Sequence, residues 1–151
     1  MPHGSSSLVT VLVADDDSQD TLLLQIAVER SQLGVRLQTV NDGEQAIDYL
    51  EGRNGFEDRR THPFPRFVLL DLKMPRLNGF EVLDFIRGKP GLRQLPIIVF
   101  SSSDDPRDIR RAYDAGANSY LTKPHSNEGL LELLKALQGY WLKYNHFPPC
   151  S

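Results

Sequence analysis

Apolar runs alternate along the chain with segments in which apolar residues recur at helical spacing. The first run, residues 8–14, is β-branched and almost uninterrupted, which is typical of a strand buried on both faces of a parallel sheet. The same pattern predicts four more strands, at residues 35–40, 66–72, 97–101 and 118–122. Helical spacing predicts five helices, at residues 19–31, 44–50, 80–87, 105–115 and 127–144.

Each predicted strand is followed by a helix, so the chain consists of five β-α units. Right-handed crossovers between such units place helices on both faces of a parallel sheet. The predicted fold is therefore an α/β, doubly wound (βα)5 domain with a central five-stranded parallel sheet. In sheets of this kind, ligands bind at the carboxyl ends of the strands.

Three segments fall outside this regular alternation. Residues 1–7 are rich in Gly, Ser and Pro and are predicted to form a disordered leader. Residues 51–65 make a longer connection than is usual between β-α units, because they hold two Gly, two Pro and a cluster of charges. The domain itself is predicted to span residues 8–144 with an extended last helix, and residues 145–151 form a C-terminal tail.

Composition narrows the classes of function. The chain has 17 Lys and Arg against 20 Asp and Glu, a net charge of −3, so no basic surface for nucleic-acid phosphates is expected. Its apolar runs are far shorter than the roughly 20 residues of a membrane span. Cys150 is the single cysteine and no signal-peptide pattern is present, so we expect a cytoplasmic protein without disulfides.

Charged and polar residues end four of the predicted strands, at the edge where ligands bind. They are Asp15 and Asp16, Asp71, Ser101 and Lys123. Two carboxylates about 4 Å apart repel by roughly 4 kcal/mol at an effective dielectric of about 20, so three of them need more positive charge than one lysine supplies. Hard oxygen ligands suit Mg²⁺, which commonly works beside a phosphate. For Asp17 we favour a simpler role, because it or Ser18 is placed to cap the first helix.

Four segments carry a resemblance to a known family. The segments VLVADDDS, VLLDLKMPRLNGFEVL, PIIVFSSSD and AGANSYLTKP resemble the four signature regions of the receiver domain of two-component response regulators, in the right order on the right elements. The resemblance covers residues 8–137 and implies the flavodoxin-like version of the predicted fold. The long connection and the aromatic tail resemble, more narrowly, the stand-alone regulators that partner phytochrome-type histidine kinases.

The resemblance assigns a role to each charged residue at the edge of the sheet where ligands bind, which we call the acidic edge. Asp71 is implied to be the nucleophile that takes a phosphoryl group from a kinase phosphohistidine and becomes an aspartyl phosphate. Asp16 and Asp71 are implied to bind Mg²⁺, or Mn²⁺ in its place, with the backbone carbonyl of Lys73. Asp15 would hold a metal-bound water, and Lys123 would pair with a phosphoryl oxygen. Such a protein is a signalling phosphoacceptor that catalyses only its own phosphorylation and dephosphorylation.

The resemblance also implies a conformational switch. Ser101 would move inward to bind a phosphoryl oxygen, and Tyr120 would turn inward with it, although a half-buried strand tyrosine with no signalling duty explains Tyr120 as well. The Lys123–Pro124 bond is expected to be cis. Gly79 is expected to allow a positive φ in the loop that carries the metal-binding carbonyl.

The surface that passes the signal on is expected to include the last two helices and the aromatic tail. Tyr140, Trp141, Tyr144 and Phe147 would support a homodimer or a contact with the sensor kinase. Alternatively, Trp141 simply packs over the core of its own domain.

Three other functions fit parts of the sequence. A degenerate receiver that only binds or dimerises is the main alternative, and the complete set of site residues argues against it. A dehalogenase-type phosphatase would need a second acid where Lys73 stands. A flavodoxin-like cofactor binder would need a phosphate-binding loop after the first strand, where the chain has acids.

Overall fold

The structure is a computed structural model that describes residues 8–149. The predicted leader, residues 1–7, and Cys150 lie outside the described residues. No helix between residues 8 and 149 is both long and apolar enough to cross a membrane.

Five strands and five helices alternate in the predicted order. The strands are β1 (Val9–Ala14), β2 (Val35–Val40), β3 (Phe67–Leu70), β4 (Ile97–Ser101) and β5 (Ser119–Thr122). The helices are α1 (Ser18–Ser31), α2 (Gly43–Glu51), α3 (Gly79–Gly88), α4 (Pro106–Asp114) and α5 (Asn127–Leu137). All strand pairs are parallel, and the order across the sheet is β2-β1-β3-β4-β5. The predicted doubly wound fold is confirmed.

The sheet separates two hydrophobic cores, because successive residues of a strand point to opposite faces. In β1, Leu12 and Ala14 belong to the core under α2, α3 and α4. Val11 and Val13 belong to the core under α1 and α5. Burial on both faces explains why the central strands have continuous apolar sequences instead of alternating ones.

Polar caps fix where the helices begin. Asp17, not Ser18, caps α1 and accepts the backbone N–H groups of Gln19 and Asp20. Asn78 and Glu81 form a reciprocal capping box at the start of α3. These caps hold the loops after β1 and β3 in place, and those two loops carry the acids of the sheet edge.

The long connection after α2 is ordered by one arginine. The guanidinium of Arg59 donates to the backbone carbonyls of Tyr49, Leu50 and His62 over 2.8, 3.0 and 3.2 Å. The hydroxyl of Tyr49 donates to the Pro63 carbonyl over 2.7 Å. The connection is therefore fastened to the C-terminal end of α2.

The last helix is shorter than predicted. α5 ends at Leu137, and a π-helical segment, Gln138–Leu142, replaces the α-helix that the pattern extended to residue 144. The ring of Trp141 lies 5.8 Å from that of Phe67, and Phe147 stacks on Phe67 at 6.1 Å. These contacts with the core favour a chain path that leaves the α-helical one after Leu137.

Candidate functional site

The acidic edge is built at the carboxyl ends of four strands, β1, β3, β4 and β5, which lie at the same end of the sheet. Ala14 pairs with Leu70 in the register of β1 and β3, so Asp15 and Asp71 follow neighbouring residues. The backbone N–H of Asp71 donates to the Ala14 carbonyl over 2.9 Å, which continues the ladder into the site. Lys123 follows β5, and its N–H donates to the Ser101 carbonyl over 2.7 Å. The predicted convergence of these residues is thus present.

Three carboxylates of this edge form a group able to bind a divalent cation. Asp15, Asp16 and Asp71 each offer an oxygen within 4.8 Å of the others. Asp15 and Asp71 are buried, with 3% and 8% of their surface exposed, while Asp16 is exposed. This donor set of carboxylate oxygens is what Mg²⁺ and Mn²⁺ prefer. Asp16 and Lys73 also line one open groove of about 450 Å³ beside the acids.

Lys123 neutralises part of this negative charge. Its ammonium lies 2.7 Å from Asp15, 2.8 Å from Asp20 and 3.2 Å from Asp71. Burial lowers the pKa of Lys123, but the hydrogen bonds with Asp15 and Asp20 outweigh it, and the pKa lies above its ordinary value. Lys123 therefore stays charged at neutral pH.

Burial makes the ionisation of Asp15 costly. Burial raises the pKa of Asp15 to about 6, although the hydrogen bond from Lys123 opposes this shift. One Asp15 oxygen also accepts the backbone N–H of Asp17 over 2.9 Å. Without further positive charge, the ionised cluster is thus destabilised, and a divalent cation would relieve this.

The Asp71 carboxylate is oriented at both oxygens. Oδ1 accepts the backbone N–H of Leu72 over 2.7 Å, and Oδ2 accepts the Lys123 ammonium. Gly79 packs against the backbone behind this carboxylate, and its N–H donates to the Leu72 carbonyl over 2.9 Å. The expected positive φ at Gly79 is wrong, since the positive-φ residues among the described ones do not include it. Glycine is needed there because the backbones approach too closely for a β-carbon.

Ser101 and Tyr120 both form hydrogen bonds with Ser103, which lies in the loop after β4. Ser101 is buried, and its hydroxyl accepts the N–H of Ser103 over 3.2 Å. The hydroxyl of Tyr120 donates to the Ser103 carbonyl over 2.8 Å. The Ser103 hydroxyl donates in turn to Asp108 of α4 over 2.7 Å. The two residues expected to switch are therefore linked to each other and to α4 through Ser103.

The expected cis bond before Pro124 is wrong. Residues 8–149 contain no cis peptide bond, so Lys123–Pro124 is trans. The trans isomer is the more stable form of such a bond by about 0.5–1 kcal/mol. Lys123 already reaches three carboxylates with this backbone, so the contacts do not require the cis form.

Comparison of the chain with known protein families identifies this arrangement of three acids and a lysine. Residues 11–135 match the model of the response regulator receiver domain. The chain belongs to the response regulator receiver family. This receiver domain is a signalling domain and not a classical enzyme.

Several relatives resemble this receiver over nearly its whole length. The probable methanogenesis regulatory protein FilR2 of Methanothrix harundinacea is 37% identical over 138 residues, which are 91% of this chain and 86% of the relative. The crystal structure of response regulator RPA3017 in red light signaling of R. palustris is 40% identical, with a TM-score of 0.89. The match covers 94% of this chain and 99% of the RPA3017 chain.

Two further solved structures that resemble the chain are those of a phytochrome response regulator and of a metal-bound regulator. The phosphorylated cyanobacterial phytochrome response regulator RcpA is 30% identical, with a TM-score of 0.85 over 95% of this chain and 100% of its own. The Mn²⁺-bound form of response regulator Rcp1 is 28% identical, with a TM-score of 0.82 over 93% of this chain and 99% of its own. The flavodoxin-like receiver fold and the resemblance to phytochrome-associated regulators are confirmed.

Sequence reasoning missed one residue of this receiver's site. Asp20 lies in the first turn of α1, and its carboxylate is 2.8 Å from the Lys123 ammonium. It follows Asp16 by four residues, but Asp16 precedes Asp17, the N-cap of α1, so helical spacing does not place the two side chains on one face. No local pattern therefore separates Asp20 from the other acids near the start of α1.

Proposed function

We propose that Asp71 accepts a phosphoryl group from a phosphohistidine of a sensor histidine kinase. The observation that carries this proposal is the Asp71 carboxylate, whose two oxygens accept from the backbone N–H of Leu72 and from the partly buried Lys123 ammonium, in a group of three acids that could hold a cation. A carboxylate oxygen attacks phosphorus, the P–N bond breaks, and the histidine nitrogen leaves with its electron pair. Such transfer needs in-line positioning and neutralised charge more than covalent help from the protein.

Three carboxylates and one carbonyl would hold the metal. Asp16 and Asp71 would bind Mg²⁺, or Mn²⁺, directly with the backbone carbonyl of Lys73, and Asp15 would orient a bound water. The ion supplies Lewis-acid neutralisation of the phosphoryl oxygens when it is bound. Support comes from the shared groove of Asp16 and Lys73 and from the oxygens of Asp15, Asp16 and Asp71 within 4.8 Å.

Lys123 and Ser101 would bind the phosphoryl oxygens. Lys123 is charged, partly buried and already beside Asp71, so it stabilises added negative charge without a large rearrangement. If the Ser101 hydroxyl turns to the phosphoryl group, it gives up the N–H of Ser103, whose carbonyl holds Tyr120. This route carries the signal to α4 and β5, in line with the expected switch role of Tyr120.

The proposed partner is a phytochrome-type histidine kinase in the cytoplasm, and no nucleic acid or membrane is involved. The phytochrome and red-light regulators that resemble the chain support this choice. A homodimer through α5 and the tail stays part of the proposal, with Tyr140 and Tyr144 as its exposed aromatic residues. Truncation after Gln138 is expected to change oligomeric state or kinase-dependent phosphorylation; if it changes neither, the tail has no part in these contacts.

Acetyl phosphate tests the central step. Intact-mass measurement after treatment with acetyl phosphate and Mg²⁺ is expected to show one added phosphoryl group, which D71N and EDTA abolish. D84N is the matched control, because Asp84 is an acid of α3 outside the cluster. An unlabelled wild type, or equal labelling of D71N, would overturn the proposal and favour a receiver that acts only as a binding or dimerisation module. Transfer from a phosphorylated phytochrome-type kinase then tests the partner.

A further inference from the structure

The ammonium of Lys123 has no donor left for a phosphoryl oxygen. A lysine ammonium carries three N–H bonds. In this structure three carboxylates accept from it, those of Asp15, Asp20 and Asp71. A phosphoryl oxygen must therefore share or replace one of these acceptors.

Asp20 differs from the other two acceptors in position and exposure. Asp15 and Asp71 follow strands and have side chains that are 4% and 10% exposed, whereas the Asp20 side chain is 38% exposed and belongs to α1. Among residues 8–149, the group of acids able to hold a metal consists of Asp15, Asp16 and Asp71 and does not include it. Asp20 thus contacts the lysine without being needed as a metal ligand.

The distances show where the ammonium is held. It lies 2.7 Å from Asp15 and 2.8 Å from Asp20, but 3.2 Å from Asp71. Lys123 is therefore held closest to the first two acids and farther from the carboxylate at which the phosphoryl group would form. The negative charge of Asp20 also offsets part of the positive charge that phosphoryl oxygens need.

We propose that Asp20 is a positioning residue that competes with the phosphoryl group for Lys123 and so limits how strongly the receiver binds that group. The inference rests on the proposed function of Asp71. Asp20 is the acceptor that Lys123 releases most easily, because water can solvate its exposed carboxylate. Release of the buried Asp15 would instead leave its Oδ2 without a hydrogen-bond donor and its charge without a counter-charge.

Fluoroberyllate, which takes the place of a phosphoryl group on a carboxylate, tests this competition. Calorimetric titration of the full chain with Mg²⁺ and fluoroberyllate is expected to give about fivefold tighter binding for D20N than for wild type. D20E keeps the charge and is expected to restore wild-type binding. D17N is the matched control, because it removes one charge from the same end of α1 but leaves Lys123 untouched.

A second readout does not depend on phosphoryl chemistry. The side-chain ¹⁵N resonance of Lys123, recorded without metal, is expected to shift in D20N and to stay unchanged in D17N. If wild type binds fluoroberyllate and D20N binds it equally or more weakly, the inference is overturned and the proposed function is left intact. If wild type shows no Mg²⁺-dependent binding of fluoroberyllate, the proposed function fails, and the inference fails with it.

Discussion

Gly79 approaches the backbone of Asp71 so closely that a β-carbon at position 79 would lie 2.4 Å from the Asp71 carbonyl oxygen. That distance is well inside van der Waals contact, and the obstacle is backbone, which cannot swing aside. The start of α3 and the end of β3 are thus held together behind the candidate nucleophile.

Replacing this glycine by alanine is expected to destabilise the domain. We expect G79A to lower the free energy of unfolding by about 3 kcal/mol, because the clash forces the Asp71 backbone to move. Urea unfolding measures this change. G88A is the matched control in the same helix, where a β-carbon meets no atom within 4 Å, and it is expected to be neutral or slightly stabilising. Equal effects of the two variants would contradict the prediction.

Arg59 is expected to stabilise the connection after α2. We expect R59A to cost about 2–3 kcal/mol of unfolding free energy, because it removes the guanidinium donor shared by three carbonyls. R60A alters the neighbouring arginine, whose side chain is 92% exposed, and is expected to cost less than about 0.5 kcal/mol. Chemical unfolding compares the two, and amide exchange in residues 52–66 should rise only in R59A. Similar stabilities would show that Arg59 does not fasten this segment.

The raised pKa of Asp15 predicts how the stability of the metal-free protein depends on pH. The pKa is about 6 in the folded protein and 3.8 ordinarily, so the folded state binds more protons between these values. Stability from this group is therefore greatest below about pH 4 and is lost as the pH rises through about 6. Relative to D15N, wild type in EDTA is expected to lose on the order of 2 kcal/mol between about pH 4 and pH 7.

Magnesium is expected to reverse this loss. A bound cation favours the ionised form of Asp15, so Mg²⁺ should raise the thermal midpoint of wild type at neutral pH and have less effect on D15N. Thermal unfolding of wild type and D15N, followed by circular dichroism at about pH 4 and pH 7 with and without Mg²⁺, measures these differences. If the pH dependence of D15N matches that of wild type, Asp15 does not carry the effect.

Trp141 is expected to stabilise the domain through its contact with Phe67. We expect W141A to lower the free energy of unfolding by about 2 kcal/mol, since it removes an aromatic contact with the core under α1 and α5. Y144A removes a side chain of a residue that is 68% exposed and is expected to be neutral. Urea unfolding separates the two. If W141A has the same free energy of unfolding as wild type, the tail does not act as part of the core.

Hydrophobic pattern predicted the sheet and the residues at its edge, because both depend on properties of short segments. The continuous apolar run before Asp15 requires a buried strand, and parallel strands bring their ends together wherever they lie in the chain. The element boundaries were less accurate. The last helix was predicted to reach residue 144, whereas α5 ends at Leu137. α1 ends at Ser31, and the C-cap that follows it is Gln32, which has a φ of 55°.

The features that sequence reasoning missed depend on contacts between distant segments. Nothing in the neighbourhood of Asp20 shows that Lys123 lies beside it, since the two are 103 positions apart. The role of Gly79 was misjudged because its place in a loop suggested a positive φ. The structure shows instead a close approach to the backbone of Asp71 and Leu72, which follow β3.

Lys123 comes to the site from β5, an edge strand of the sheet, whereas Asp15 and Asp71 follow two interior strands. The pairing of β1 with β3 makes the two acids neighbours, whereas the position of the ammonium that offsets their repulsion depends on the pairing of β5 with β4. Separation of β5 from β4 would therefore leave the two acids together without their ammonium. The paired edge strand completes the charge balance of the site as well as the hydrogen bonding of the sheet.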